Sequence, residues 1–421
     1  MITARCLTSR KILIIAVAIF FAASATFLPA AEKVKITMWG WQAENIELAA
    51  QDYMARDPSV AIEILSSPGT EYDAKLATAL QGNVGPDVME LRTYSPMEAL
   101  AKAGFLLPLD DKVPGLKMNF GSATLEAATS RDDGKIYYVP LGAWPAGIFY
   151  NKALFKKCNV TAPTTWNEFL DVCKALKKAG IVPIALGGRD GWLNMQVGFA
   201  LQPTLFGGKA WYNDAIKGKT NFMDPRFVDS LKKMDQLRPY FEPNPAAFAE
   251  VDSWKMFVEG QAAMVIIGAW QIATARKDAP DIDIDTFAPP VAKAGDPYYT
   301  TMMADGGFGI NAKTKHQAEC VKLLTYLSSK EYGKLVADKN GAASAVLGVS
   351  VNDPTMKKIL EIAGKSQLPQ FMEAYFNQGK PGGEETLTAG LQAMFAGQKT
   401  PEQVAKELQD TVAKWYKPFQ K

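Results

Sequence analysis

Residues 133–180 read DGKIYYVPLGAWPAGIFYNKALFKKCNVTAPTTWNEFLDVCKALKKAG, and their pattern decides the architecture. An extended run, KIYYVP, passes through a loop into a second apolar run, and two helical stretches follow. The second helix carries a full start signal: Thr165 caps it, and Glu168, three residues on, reaches back to the cap's own amide. Phe169, Leu170, Val172, Cys173 and Leu176 form its buried stripe. Lys177 and Lys178 fill the last turn, and Gly180 stops it.

Outward from this stretch, extended and helical patterns alternate, which predicts an α/β fold. VKITMW (34–39), VAIEIL (60–65) and PDVMEL (86–91) read as strands. ENIELAAQDYMARD (44–57), the run from Thr70 to Gly82 and SPMEALAKAG (95–104) read as the helices between and after them. Such crossovers are right-handed and build a mostly parallel sheet, with ligands at the carboxyl ends of its strands. IVPIALGG (181–188) leads into a long helical region from Asn194 to Met264. The last helix is capped by Thr400, with Pro401 at its first position and Gln403 at its third; Val404, Leu408, Val412 and Trp415 make its seam.

The N-terminus reads as a leader. Arg5, Arg10 and Lys11 precede an apolar run, Ile12 to Phe21, and small residues follow to Ala31. That run is short for a membrane span, which needs about 20 residues, so a cleaved signal peptide over residues 1–31 is expected rather than an anchor. Its removal leaves 390 residues with a net charge of −1. A near-neutral, mixed surface argues against nucleic acid or an anionic membrane as main partner. The remaining length exceeds one ordinary core and predicts two lobes.

Val139-Pro140, Phe149-Tyr150-Asn151-Lys152, PTTWNEF (163–169), Gly85-Pro86-Asp87-Val88 and FVEGQAAMVIIGAW (257–270) together resemble the family 1 extracellular solute-binding proteins, the sugar-binding receptors of bacterial ABC importers. The resemblance spans essentially the whole mature chain. It implies a two-lobed periplasmic-binding-protein type II fold, each lobe a mostly parallel sheet flanked by helices, with the ligand cleft between lobes. The implied division is 32–140 plus 266–311 for the N-terminal lobe and 141–265 plus 312–421 for the C-terminal lobe. The chain would cross near Pro140, through FVEGQAAMVIIGAW ending at Trp270, and again at DGGFGINAKTKHQAECVKLLTYLSS (305–329). The implied activity is periplasmic capture of a carbohydrate by hinge closure and delivery to a membrane permease, as a monomer, with no catalysis, cofactor or metal.

A pyranose has an apolar C–H face and a hydroxyl rim, so its binder needs flat aromatics for the face and polar groups for the rim. Trp39 and Trp41 stand at the end of the first strand, and Trp41 is the one expected in the cleft. Trp144 lies in the first crossing, Trp192 in the polar loop GGRDGWLNMQ, and Trp270 at the family's stacking position. Trp166, Trp211, Trp254 and Trp415 read as packing residues. Polar partners are expected from Glu71 and Tyr72, which commonly face the cleft in this family, from Arg92, Thr93 and Tyr94, from Arg189, Asp190 and Asn194, and from Asp305 with Gly306 and Gly307.

Enzyme motifs are missing from the sequence: there is no G-x-S-x-G, Walker A, G-x-G-x-x-G or H-E-x-x-H. Asp110–Asp111 and Asp132–Asp133 are adjacent turn residues and cannot bracket a glycosidic bond. Two rival readings are a ferric-iron receptor, through Tyr137–Tyr138 or Tyr298–Tyr299, and an exported glycosidase or polysaccharide lyase. His316, the sole histidine, sits at a solvated helix start, which excludes a His-rich metal site. Cys158 and Cys173 either form a disulfide or are separate buried thiols; Cys320 reads as core.

Overall fold

The structure, a computed structural model, describes residues 32–340 and 343–420. The expected leader lies outside them. Eleven strands run in chain order among the described residues: β1 Val34–Gly40, β2 Val60–Ser66, β3 Val88–Leu91, β4 Val139–Pro140, β5 Ala143–Asn151, β6 Val182–Ala185, β7 Ala262–Gly268, β8 Ile284–Phe287, β9 Thr300–Ala304, β10 Gly307–Ile310 and β11 Gln367–Leu368. They form two sheets, β2-β1-β3-β10-β4 and β11-β9-β5-β7-β6, with β8 also pairing with β5.

Helical crossovers join β1 to β2 and β2 to β3, and these strands run parallel as expected. One strand in each sheet is reversed. β10 is antiparallel to both β3 and β4, and β5 is antiparallel to β7, β8 and β9. Each reversed strand is the one the chain enters directly from the other sheet, β5 from β4 and β10 from β9. With two residues and no helix between them, the chain arrives at the near edge and runs away from it.

The second sheet is held by the helix the opening stretch predicts. Trp166–Lys178 has the full capping box, and Trp166, Phe169, Val172, Cys173 and Leu176 are buried. Burying a phenylalanine such as Phe169 stabilises by roughly 1.5–3 kcal/mol, and losing the Thr165 cap costs about 1 kcal/mol. Gly180 follows with φ +76°, a left-handed stop that glycine adopts freely. The final helix, Pro401–Val412, has its own capping box and buries Val404, Leu408 and Val412.

The lobe boundaries differ from expectation. Residues 266–304 do not return to the first lobe. β7 is buried at all seven positions, as a strand covered on both faces of its sheet is, and it pairs between β5 and β6. β8 and β9 join the same sheet. Conversely, the helix Gln317–Leu327 puts Cys320, Leu323, Leu324 and Leu327 into the first core, with Tyr332, Ala345 and Val346 after it. The chain therefore crosses at Leu141–Gly142, at Asp305–Gly306 and between Val346 and Val351.

The three cysteines among the described residues are unbridged: Cys173 and Cys320 are buried in separate cores, and Cys158 is half-buried at a helix end. Denatured, unreduced protein lacking residues 1–31 is expected to titrate three thiols with a disulfide-exchange reagent. A count of one would mean that Cys158 and Cys173 are joined.

Candidate functional site

The first two crossings are hydrogen-bonded to each other. The Leu141 amide donates to the Gly306 carbonyl and the Asp305 amide to the Gly142 carbonyl, both at 3.1 Å. Gly306 has φ +73°, and a Cβ there would lie 2.2 Å from the Leu91 carbonyl oxygen, so only glycine fits. Beside this paired ribbon, between the lobes, is a cavity of about 310 Å³. The first lobe lines it with Trp41, Arg92 and Thr93, and the crossing with Asp305 and Gly306. The second lobe lines it with Trp144, Trp192 and Trp270, with Gln196, and with Gln370, Glu373 and Glu384. A second cavity of about 910 Å³ shares Trp144, Trp270 and Asp305 and continues the cleft.

The tryptophans form a wall. Trp270 meets Trp144 edge-on, with ring centroids 6.4 Å apart, and Trp192 at 6.2 Å with a 39° tilt. Trp270 folds back over the strand end: a Cβ on Gly268 would fall 1.8 Å from its Cζ3. The Trp144 indole Nε1 donates to Asp305 Oδ2 at 3.2 Å. On the opposite lobe, the Arg92 guanidinium stacks 3.9 Å from the centre of the Trp41 ring. Arg92 is itself held by Asp73, at 3.2 Å from Nε to each oxygen, and by the Gly69 carbonyl at 3.1 Å.

Carboxyls dominate the polar lining. Glu373 and Glu384 are hydrogen-bonded to each other, and burial pushes both above the usual carboxylate range, Glu384 well above. The Thr93 hydroxyl donates to Glu373 Oε2 at 3.0 Å, across the lobes. Burial also raises Asp305, against the donors Gln42 and Trp144. Behind Trp41, burial pushes Glu90 up to about 8, although its Oε2 accepts from the Trp41 and Gln42 amides at 2.7 and 3.1 Å.

Of the residues singled out in the sequence, Trp41, Arg92, Trp144, Trp192, Trp270, Asp305 and Gly306 line the inner cavity. Glu71, Tyr72 and Asn194 do not. Tyr72 is buried, with its hydroxyl 2.9 Å from the Glu90 carbonyl and 3.1 Å from that of Trp39, so it braces the sheet. Glu71 is exposed on the first turn of the helix Gly69–Gln81, 3.7 Å from Lys75. Asn194 is buried and its amide clamps the carbonyls of Gly188 and Gly191 at 3.0 and 3.2 Å, which fixes the entry to the helix carrying Trp192. Of the further polar candidates, Thr93 lines the cavity and Tyr94 is core. Asp190 accepts from the Glu250 amide at 2.7 Å. Gln196, Gln370, Glu373 and Glu384 were not anticipated. Gln196 stands four residues after Trp192 on the helix Gly191–Leu205, one turn along the same face, and that spacing is a usable signal. Of the tyrosines of the iron reading, Tyr138 is buried in the first core, the Tyr137 hydroxyl donates to Asp133 at 2.6 Å and the Tyr298 hydroxyl to the Ile362 carbonyl at 3.3 Å.

Residues 40–334 match the profile described as bacterial extracellular solute-binding protein. The chain belongs to this family. A multiple sugar-binding protein of Streptococcus mutans serotype c is 26% identical over 343 residues, 76% of each chain. Among solved structures, a chitin oligosaccharide binding protein superposes with TM-score 0.78 at 25% identity, covering 91% of this chain and 99% of the other. The raffinose complex of the solute-binding protein RafE superposes with TM-score 0.74 at 24% identity over 92% and 100%, which shows a shared fold. Members of the family are binding proteins rather than enzymes, and the two-lobed architecture is that of these extracellular solute-binding proteins.

Proposed function

We propose that this solute-binding protein is an exported receptor that captures a carbohydrate by closing its lobes and delivers it to an ABC-transporter permease. The observation that carries the reading is the wall of Trp144, Trp270 and Trp192 facing Trp41 across a cavity rimmed by Asp305, Gln196, Gln370, Glu373 and Glu384. Flat indoles suit a pyranose face, and the carboxyls and amides suit its hydroxyls. The sugar-binding relative and the oligosaccharide-binding structural neighbour support the same class. The continuation into the larger cavity leaves room for more than one ring.

The reading includes no chemistry on the ligand. Glu373 and Glu384 are hydrogen-bonded to each other, so they do not stand about 5 Å or more apart across a glycosidic bond. Ligand touches both lobes fully only when they are shut, so binding draws the population toward the closed form. The protein would act as a periplasmic monomer, with no nucleic-acid partner.

Thermal-shift and calorimetric titration of the protein without residues 1–31 against mono- and oligosaccharides tests the class. A ligand at a hundred times its Kd raises stability by about 2.7 kcal/mol. A panel in which no carbohydrate binds while another solute class does would overturn the reading. Solution scattering tests the motion: saturating ligand is expected to reduce the radius of gyration, and an unchanged curve with tight binding would exclude hinge closure.

A further inference from the structure

We infer that the inner cavity takes a carbohydrate bearing a protonated amine, an amino sugar whose ammonium lies among Glu373, Glu384 and the side-chain oxygens of Gln196 and Gln370. The inference rests on the carbohydrate reading and narrows it.

The first observation is charge. Asp305, Glu373 and Glu384 all line this cavity, and its one cationic lining residue, Arg92, is committed to Asp73, the Gly69 carbonyl and the Trp41 ring. An acidic sugar would meet carboxyls with no free cation to receive it. The second observation is independent of charge. Gln196 and Gln370 are only 5% and 7% exposed, both line the cavity, and the Oε1 of each has no hydrogen-bond partner. A buried acceptor left unpaired costs about 1–3 kcal/mol, so two of them beside three carboxyls make a site short of donors.

An ammonium group is the ligand chemistry that answers both shortages. It offers three donors and no acceptor and brings the positive charge the lining lacks. A neutral hydroxyl supplies one donor, adds acceptor oxygens and leaves the charge uncompensated. Indole faces also attract a cation, and Trp192 and Trp270 border the same space. Glu373 and Glu384 hydrogen-bond to each other through one shared proton; binding would release that proton to solvent and leave both to meet the ammonium as carboxylates.

Calorimetric titration of the protein without residues 1–31 with glucosamine, galactosamine and mannosamine, beside glucose, galactose, mannose and the three N-acetyl derivatives, tests this. At least one free amine is expected to bind tenfold or more tighter than both its parent hexose and its N-acetyl form. A parent or N-acetyl sugar that binds as tightly as its amine, or tighter, overturns the inference and leaves the carbohydrate reading standing. A panel in which none of the nine sugars binds overturns the inference as well, and the wider screen above then decides whether the carbohydrate class itself fails. Glu384→Gln and, separately, Glu373→Gln keep the shape and remove one charge each. In whichever variant keeps its unliganded melting transition, affinity for the amine is expected to fall at least tenfold more than affinity for its parent. Equal losses would show that the carboxyls position the wall rather than meet an ammonium.

Discussion

Trp270→Ala is expected to weaken carbohydrate binding about tenfold to a hundredfold or more while lowering the melting temperature of the unliganded protein only modestly. By analogy with aromatic pairs, an indole face laid on a sugar ring contributes roughly 0.5–1.5 kcal/mol beyond the apolar area it removes from water, and each 1.4 kcal/mol is tenfold in affinity. Trp270 is half-buried, and it touches both Trp144 and Trp192, so its loss also loosens the rest of the wall. A fully buried tryptophan would behave in the opposite way, costing about 3–5 kcal/mol of stability on truncation. Gly268→Ala provides a second approach that leaves the ring in place. The new methyl would occupy space 1.8 Å from Cζ3 of Trp270, so the indole must swing off the strand end and out of its present position. Calorimetric titration and unliganded melting on both variants decide the matter. Unchanged affinity beside a collapsed melting temperature would remove Trp270 from the site.

Between pH 5 and pH 8 the unliganded protein is expected to lose stability, and Glu90→Gln to remove the share of that loss due to Glu90. Glu90 is buried and holds its proton up to about pH 8, whereas an unfolded glutamate releases it near pH 4.3. Below about pH 4 both states carry the proton and Glu90 contributes no slope. Above it the unfolded chain has released a proton that the folded chain retains, so stability falls by about 1.4 kcal/mol per pH unit. Integrated to pH 8 the cost is on the order of 4–5 kcal/mol. Asp305, Glu373 and Glu384 are raised by burial too and act with the same sign. Asp224, held down to about 2 chiefly by its bond to Arg226, acts oppositely, but its contribution disappears only below about pH 4, outside this window. Glutamine mimics the protonated acid and its oxygen can still accept from the Trp41 and Gln42 amides. Urea-unfolding midpoints at the two pH values, in both proteins, provide the comparison. Equal slopes would show that Glu90 does not titrate in this range.

What the sequence made legible was local. The capping box at Thr165 and Glu168 needs only neighbouring residues, and it is present as expected. The lobe membership of β7, β8 and β9 was hidden because it depends on which strands pair across a hundred residues or more. An all-apolar strand such as AAMVII announces burial but not between which neighbours. Glu373 and Glu384 belong to two different helices near the C-terminus, Phe371–Tyr375 and Gly383–Phe395. No motif joins them; only tertiary packing brings their carboxyls together. Tyr72 misled for a related reason, since a tyrosine in the first turn of a helix has the same local sequence whether its hydroxyl faces a cleft or a pair of sheet carbonyls.

The place of β10 bears on how the chain comes into being. That strand, residues 307–310, occupies the slot between β3 and β4, both complete by residue 140. At a synthesis rate of about 5–20 residues per second, roughly 10–30 seconds pass between the making of β4 and of β10. Throughout that interval the β3 edge lacks its partner, an open edge of the kind that recruits foreign strands, and β4 has no strand to pair with. The early half of the molecule is thus committed to waiting for the late half, and a nascent chain arrested before Gly307 is incomplete in its centre, not merely at its end. Its natural complement is the segment from Gly307 through the helix ending at Leu327, which brings both the missing strand and the apolar cover for it.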